Sequence, residues 1–74
     1  MPKLPVASGA EVVRAFESLG WEVVRRRGSH VILVKDGEMA SLSVPDHNEV
    51  AKGTLRSLIR EAGVTVAEFT SALS

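Results

Sequence analysis

The chain of 74 residues contains no cysteine, which excludes disulfide bonds and the zinc sites that are built from thiolate ligands. The fold must therefore be held by packing alone. No apolar run approaches the roughly 20 residues that cross a bilayer, and the start, "MPKLPVASG", lacks a charged segment followed by a long apolar one. We expect a soluble, unprocessed protein of the reducing cytoplasm with no membrane partner.

The chain is also short of residues for a large core. At this length we expect one domain, covering residues 1–74, that buries only about 60% of the surface exposed by the unfolded chain. A deep internal site is excluded. Any chemistry has to lie on the surface or in a shallow groove, which a second chain could complete.

Net charge is absent as well, because nine Lys and Arg residues balance nine Asp and Glu residues. This balance argues against a polyanionic partner. The distribution of charge along the chain argues for a polyanionic partner. The segment 25–35, "RRRGSHVILVK", holds four cationic residues and no acidic one, and a polyanion responds to the local electrostatic potential rather than to the net charge. A basic run of this length is also common at solvated strand ends, so both interpretations stay open.

The first half of the chain predicts one helix and two strands. Residues 1–7 form an extended lead-in, and "SGAE" from Ser8 is a capping box that begins a helix ending at Gly20. "WEVVRRR" and "HVILVK" then predict two strands around a Gly28-Ser29 turn. Asp36-Gly37 is a strong hairpin signal, so a third, antiparallel strand is expected over about 39–44, with Ala40, Leu42 and Val44 on its buried face.

The second strand is apolar on both faces. Ile32 and Val34 share one parity and Val31 and Leu33 the other, whereas the helices of so small a domain can cover only one face. Either the strand twists at its ends or a partner chain covers the second face, and self-association is also open. We assign Leu33 to the partner-covered face.

The second half predicts two helices. One begins near Gly53 or Thr54 and ends at Gly63, with Lys52, Arg56 and Arg60 as a basic stripe beside its apolar face. Its start offers free N–H groups and the positive end of a helix dipole, which suit a phosphate. A capped helix start with a solvated lysine explains the same residues. A capping box at Thr65 and Glu68 begins a short last helix, which gives the order α, β, β, β, α, α.

His30 is the strongest candidate for chemistry. An imidazole exchanges protons near neutral pH, and neighbouring guanidinium groups can bind a phosphate and stabilise charge developing on it. Together they suit RNA cleavage, in which the 2′-hydroxyl is the nucleophile. A histidine that merely caps a strand is the competing interpretation. A metal site at His47 with Asp46 and Glu49 is disfavoured, as is Ser29 as a nucleophile, so no metal and no cofactor are expected.

The segments "WEVVRRRGSH", "VPDH" and "KGTLRSLIREAGVTVAEF", in this order and spacing, resemble the HicA (YcfA-like) toxins of bacterial and archaeal toxin–antitoxin pairs. The resemblance runs from Ser8 to Phe69. It implies an α+β fold similar to double-stranded-RNA-binding domains, with a three-stranded antiparallel sheet packed on helices. It also implies cleavage of messenger RNA by the histidine of Gly-Ser-His, here His30, and neutralisation by a HicB-type antitoxin.

The hypothesis from the sequence is thus an endoribonuclease toxin in which His30 is the general base or acid and His47 a candidate auxiliary residue. The residues expected to contact RNA are Arg25, Arg26, Gly28, Ser29, Lys35, Lys52, Thr54 and Arg56. A non-catalytic RNA- or DNA-binding module and a protein-interaction module remain as alternatives.

Overall fold

A computed structural model describes residues 3–73 of the chain, so Met1 and Pro2 of the predicted lead-in, and Ser74, lie outside the described residues. Residues 3–8 form neither helix nor strand. The elements that follow are α1 (Gly9–Ser18), β1 (Glu22–Arg27), β2 (His30–Val34), β3 (Leu42–Pro45), α2 (Lys52–Ala62) and α3 (Val66–Leu73). The three strands form one antiparallel sheet in the order β1-β2-β3. The predicted α+β fold, consistent with a double-stranded-RNA-binding-domain-like arrangement, is confirmed.

Helix α1 begins at the predicted capping box. The backbone N–H of Glu11 donates to the Ser8 hydroxyl at 3.2 Å, and the N–H of Ser8 donates to the Glu11 carboxylate at 2.9 Å. The bond from the Ser8 backbone, followed by that from its side chain, lowers the pKa of Glu11. The helix ends before Gly20, whose φ of 98° is readily accessible only to glycine.

The turn between β1 and β2 is fixed by one glycine. Arg27 pairs with His30, so Gly28 and Ser29 are the two central residues of a hairpin turn. Gly28 has φ 61°, whereas Ser29 does not have a positive φ. This combination is that of a type II′ turn, whose hand matches the twist of paired strands. The predicted turn is confirmed.

The connection between β2 and β3 differs from the prediction. Asp36 and Gly37 do form a turn, closed by a 3.0 Å bond from the Glu38 N–H to the Lys35 carbonyl. Only Gly37 of the two has a positive φ, however, and a type I′ hairpin turn requires both. Residues 35–41 therefore form a loop and β3 begins at 42. The antiparallel pairing is confirmed, but the strand start near residue 39 and the buried position of Ala40 were wrong.

Helices α1 and α2 pack against one face of the sheet, α3 packs against these two helices, and the core lies between these elements. We call the covered face the inner face and the opposite one the open face. Leu33 pairs with Leu42 on the inner face and is 0% exposed, so its assignment to a partner-covered face was wrong. Ile32 is half-buried and Val34 is 37% exposed on the open face. The sequence could not distinguish the buried set of β2 residues from the exposed set, because both sets are apolar.

The last two helices complete the core. Helix α2 begins at Lys52, slightly earlier than predicted, and ends at Gly63 in the left-handed conformation, as predicted. The predicted capping box of α3 is confirmed by bonds of 2.8 and 3.0 Å between Thr65 and Glu68. Phe69 of α3 packs on Phe16 of α1 with ring centroids 5.1 Å apart. Within residues 3–73, none of the helices has the length and hydrophobicity needed to cross a membrane.

Candidate functional site

His30 lies at one end of the sheet, in the middle strand. It is the first residue of β2 and is exposed, with Arg27 as its backbone partner in β1 and Pro45 as its partner in β3. The Gly28-Ser29 turn adjoins it. A histidine in this position is open to a large ligand on the open face.

The three consecutive arginines divide between the two faces. Arg25 pairs with Ile32 and Arg27 with His30, so both lie on the open face with the imidazole. Arg26 pairs with Val31 and lies on the inner face, where its guanidinium forms an ion pair with the Asp46 carboxylate. The sequence prediction named Arg25 and Arg26 and missed Arg27. The two-residue turn was the available signal, because it makes Arg27 the direct partner of His30.

The loop after β3 is tied to the same end of the sheet. The N–H of Asp46 donates to the Ser29 carbonyl at 2.7 Å, and the N–H of Gly9 donates to the His47 carbonyl at 2.8 Å. A Cβ on Gly9 would lie 2.3 Å from the carbonyl oxygen of Pro45, so only glycine allows the start of α1 to approach this closely. The second histidine is thus held at the end of the sheet where His30 lies.

Lys35 directly follows the end of β2 that is opposite His30. It is five positions along the chain from His30, or roughly 16 Å of extended strand at about 3.3 Å per residue. Its ammonium group donates to the Leu19 carbonyl at 3.1 Å, at the end of α1. Lys35 therefore stabilises a helix C-terminus, and the structure does not bring it together with the other predicted RNA contacts.

The start of α2 is connected to the site by a short loop. Residues 46–51 lead from the end of β3, beside His30, to Lys52. The N-cap residue, Ala51, has no side-chain hydrogen bond to the first turn. Lys52, Thr54 and Arg56 are all exposed. This arrangement leaves the first-turn N–H groups and two cations facing solvent.

The described residues contain no group of three His, Cys, Asp or Glu side chains that could hold a metal ion. In particular, Asp46, His47 and Glu49 do not come together as such a group, although they crowd one loop. The titratable groups at this end of the sheet are then the two histidines and the Asp46 carboxylate, beside the cations of β1.

The family described as "HicA toxin of bacterial toxin-antitoxin" matches residues 9–64, most of the chain. The chain belongs to the HicA toxin family. No curated protein matches the chain. Membership confirms the resemblance seen in the sequence and gives the chain the role of a toxin, with an antitoxin as its partner.

The part of the chain shared with the HicA family extends from the first residue of α1 to just beyond the C-cap of α2. It includes both histidines, the three arginines and the basic start of α2. The last helix lies beyond it. The whole candidate site therefore falls within the segment that defines this HicA chain.

Proposed function

We propose that this HicA toxin is an endoribonuclease that cleaves messenger RNA with His30 as its general base or acid. The observation that carries the proposal is the strand register, which pairs His30 with Arg27 and sets Arg25 one position along on the same exposed face. A proton-transfer group then lies beside a turn and two guanidinium groups, which can bind the two non-bridging oxygens of a phosphodiester.

The proposed reaction is a transfer within the RNA chain. His30 takes the proton of a 2′-hydroxyl, and the resulting oxygen attacks the adjacent phosphorus while the bond to the 5′-oxygen breaks. The products are a 2′,3′-cyclic phosphate and a 5′-hydroxyl, and the latter needs one proton. We assign that proton to His47, because its loop begins opposite His30. Arg25 and Arg27 stabilise the negative charge that develops on the phosphate.

The remaining contacts hold the RNA on either side of the reacting bond. Gly28 and Ser29 offer turn backbone next to His30, and the first turn of α2 offers Lys52, Thr54 and Arg56. Phosphates bind at such helix starts because the N–H groups and the helix dipole both favour negative charge. We assign neither Arg26 nor Lys35 to a phosphate contact, since each already has a partner in the fold.

The open face also suits the antitoxin. Val34 is 37% exposed there, and Ile32 lies between β1 and β3 on the same face. Val24, at the register shift of β1, is 50% exposed. A HicB-type antitoxin that covers these apolar side chains would also cover Arg25 and His30, and would silence the toxin by occupying its RNA surface. Ile32→Glu should weaken this binding without unfolding the toxin, whereas a substitution of buried Leu33 tests the core instead.

The deciding experiment compares the parent with His30→Ala and with His47→Ala, which removes the proposed donor of the second proton. Labelled RNA is incubated with each protein in the presence of a chelator, and thermal unfolding and RNA binding are measured in parallel. His30→Ala should lower the cleavage rate by about 10² to 10⁴, the usual contribution of general acid–base catalysis. It should change stability by no more than about 1 kcal/mol, since His30 is exposed.

The two alternatives predict different results. A folded His30→Ala variant that cleaves as fast as the parent would leave only an RNA-binding module. A parent protein that neither cleaves RNA nor binds it in a salt-dependent way would point to a protein-interaction module. If the proposed function is correct, expression of the parent in bacteria should arrest growth and expression of His30→Ala should not.

A further inference from the structure

An open groove of about 370 Å³ lies between α1 and the first two strands. Its walls are apolar and come from Ala10 and Val13 of α1 and from Val23 and Val31 of the sheet. Its volume is near the lower end of the roughly 300–1,000 Å³ found for small-ligand sites. The groove therefore has room for one small ligand group rather than for a folded segment of protein.

Three charged side chains complete the groove. Arg14 of α1 and the ion-paired Arg26 and Asp46 line it together with the apolar walls. The guanidinium of Arg26 bonds to Oδ2 of Asp46, and no other donor among residues 3–73 bonds to this carboxylate. A carboxylate has about four lone-pair sites on its two oxygens. Asp46 consequently still has acceptor capacity for a ligand in the groove.

The groove is adjacent to the proposed cleavage site. Asp46 follows Pro45, the strand partner of His30, and its N–H bonds to the carbonyl of Ser29 at 2.7 Å. The imidazole lies on the open face and the groove on the inner face, so an RNA strand that used both would cross the end of the sheet at the turn. Gly28 leaves room there, because a Cβ on it would meet no atom within 4 Å.

We propose that this groove is a base-binding subsite for a guanine next to the scissile phosphate. The inference rests on the proposed function and adds a base preference to it. Unstacked RNA bases are commonly held against guanidinium planes and recognised on their Watson–Crick edges. Only guanine presents two neighbouring N–H groups, N1–H and N2–H, to a carboxylate such as that of Asp46; adenine, cytosine and uracil present one.

The charges favour an RNA base over a protein side chain. Arg14 and Arg26 together outweigh Asp46 by one positive charge, so the groove attracts a group attached to phosphate. The same cationic surface continues over the turn to Arg27. A protein segment would also gain the apolar walls, but it carries no phosphate for the surplus positive charge.

The test titrates the protein with 5′-GMP and, separately, with 5′-AMP, 5′-CMP and 5′-UMP, and follows backbone amide shifts by NMR. 5′-GMP should shift the amides of Ala10, Val13 and Val31 and bind about tenfold more tightly than the others, within the range of a good bidentate base contact. Asp46→Asn should remove this preference. Ala10→Leu, which fills the groove and leaves the ion pair intact, should remove binding even if Asp46→Asn folds poorly.

A second measurement maps the cleavage sites on an RNA of random sequence. The parent should cut next to guanine, and Ala10→Leu should retain cleavage that depends on His30 but lose the preference. Cleavage without any guanine preference, with no groove shifts from 5′-GMP, would overturn the subsite and leave the proposed function standing. Absence of all cleavage would refute the proposed function, while guanine-selective shifts in the groove would still support the subsite. Shifts produced by the antitoxin and not by 5′-GMP would make the groove a protein contact and overturn the inference.

Discussion

The division of the arginines between two faces predicts unequal effects on RNA binding. Replacing Arg25 and Arg27 with glutamine removes two cations from the open face. Replacing Arg26 with glutamine removes a cation that Asp46 already neutralises on the inner face. The three residues are consecutive and chemically identical, so Arg26→Gln is a matched control for the double variant.

The magnitude follows from counterion release. If Arg25, Arg27, Lys52 and Arg56 each neutralise one phosphate, the affinity for single-stranded RNA should fall with log[salt] at a slope of about −2.8, at about 0.7 per contact. The double variant should have a slope of about −1.4. Between about 50 and 200 mM salt, affinity should then fall about 50-fold for the parent and about sevenfold for the double variant.

The assay is fluorescence anisotropy with a labelled single-stranded RNA, in the His30→Ala background so that the RNA is not cut. Arg26→Gln should keep the parent slope, although its absolute affinity can change because Asp46 loses its partner. A slope flattened equally by Arg26→Gln and by the double variant would refute the assignment of faces. A parent slope near zero would remove phosphate contacts altogether.

Three further predictions concern the fold. Leu33→Ala should lower the free energy of unfolding, measured by urea titration, by about 2–5 kcal/mol, as for other fully buried leucines. Val34→Ala, on the open face, should lower it far less, and equal losses for the two variants would contradict the strand register. Glu11→Gln should keep the capping bonds but lose one pH dependence of stability. The lowered pKa of Glu11 means that its carboxylate stabilises the fold above about pH 4.5, and this stabilisation is lost as the pH falls further. Only the parent should therefore show this component of the decline in melting temperature towards pH 3. Gly28→Ala should destabilise the fold by about 1–3 kcal/mol because the φ of Gly28 is 61°. Gly53→Ala, in a helix with open space around it, should stabilise the fold slightly. A Gly28→Ala variant as stable as the parent would contradict the type II′ turn.

Local chemistry explains why much of the fold was predictable. The capping boxes at Ser8 and Thr65 use side chains three residues apart, so they act before any tertiary contact forms. The Gly28-Ser29 turn is local in the same way, since a glycine at the first central position selects type II′. These signals place His30 at the start of β2 without knowledge of the rest of the molecule.

The start of β3 shows where local signals fail. Asp36-Gly37 forms its turn, but Met39 is fully exposed and the strand begins only at Leu42. What decides the register is the burial of Leu42 against Leu33, a contact between strands. The Asp-Gly dipeptide cannot determine where β3 begins, because the length of the loop depends on which residues the helices cover.

The sequence by itself determined the order of elements, the helix starts, the first hairpin and the presence of a histidine among cations. It could not determine which parity of β2 is buried, since Val31 and Leu33 are as apolar as Ile32 and Val34; only the packing of the helices on one face decided this. The same packing separated Arg26 from its two neighbours and brought Asp46, from a loop twenty residues away, into contact with it. Side chains on a strand alternate between faces, but which face meets solvent is a property of the assembled layers.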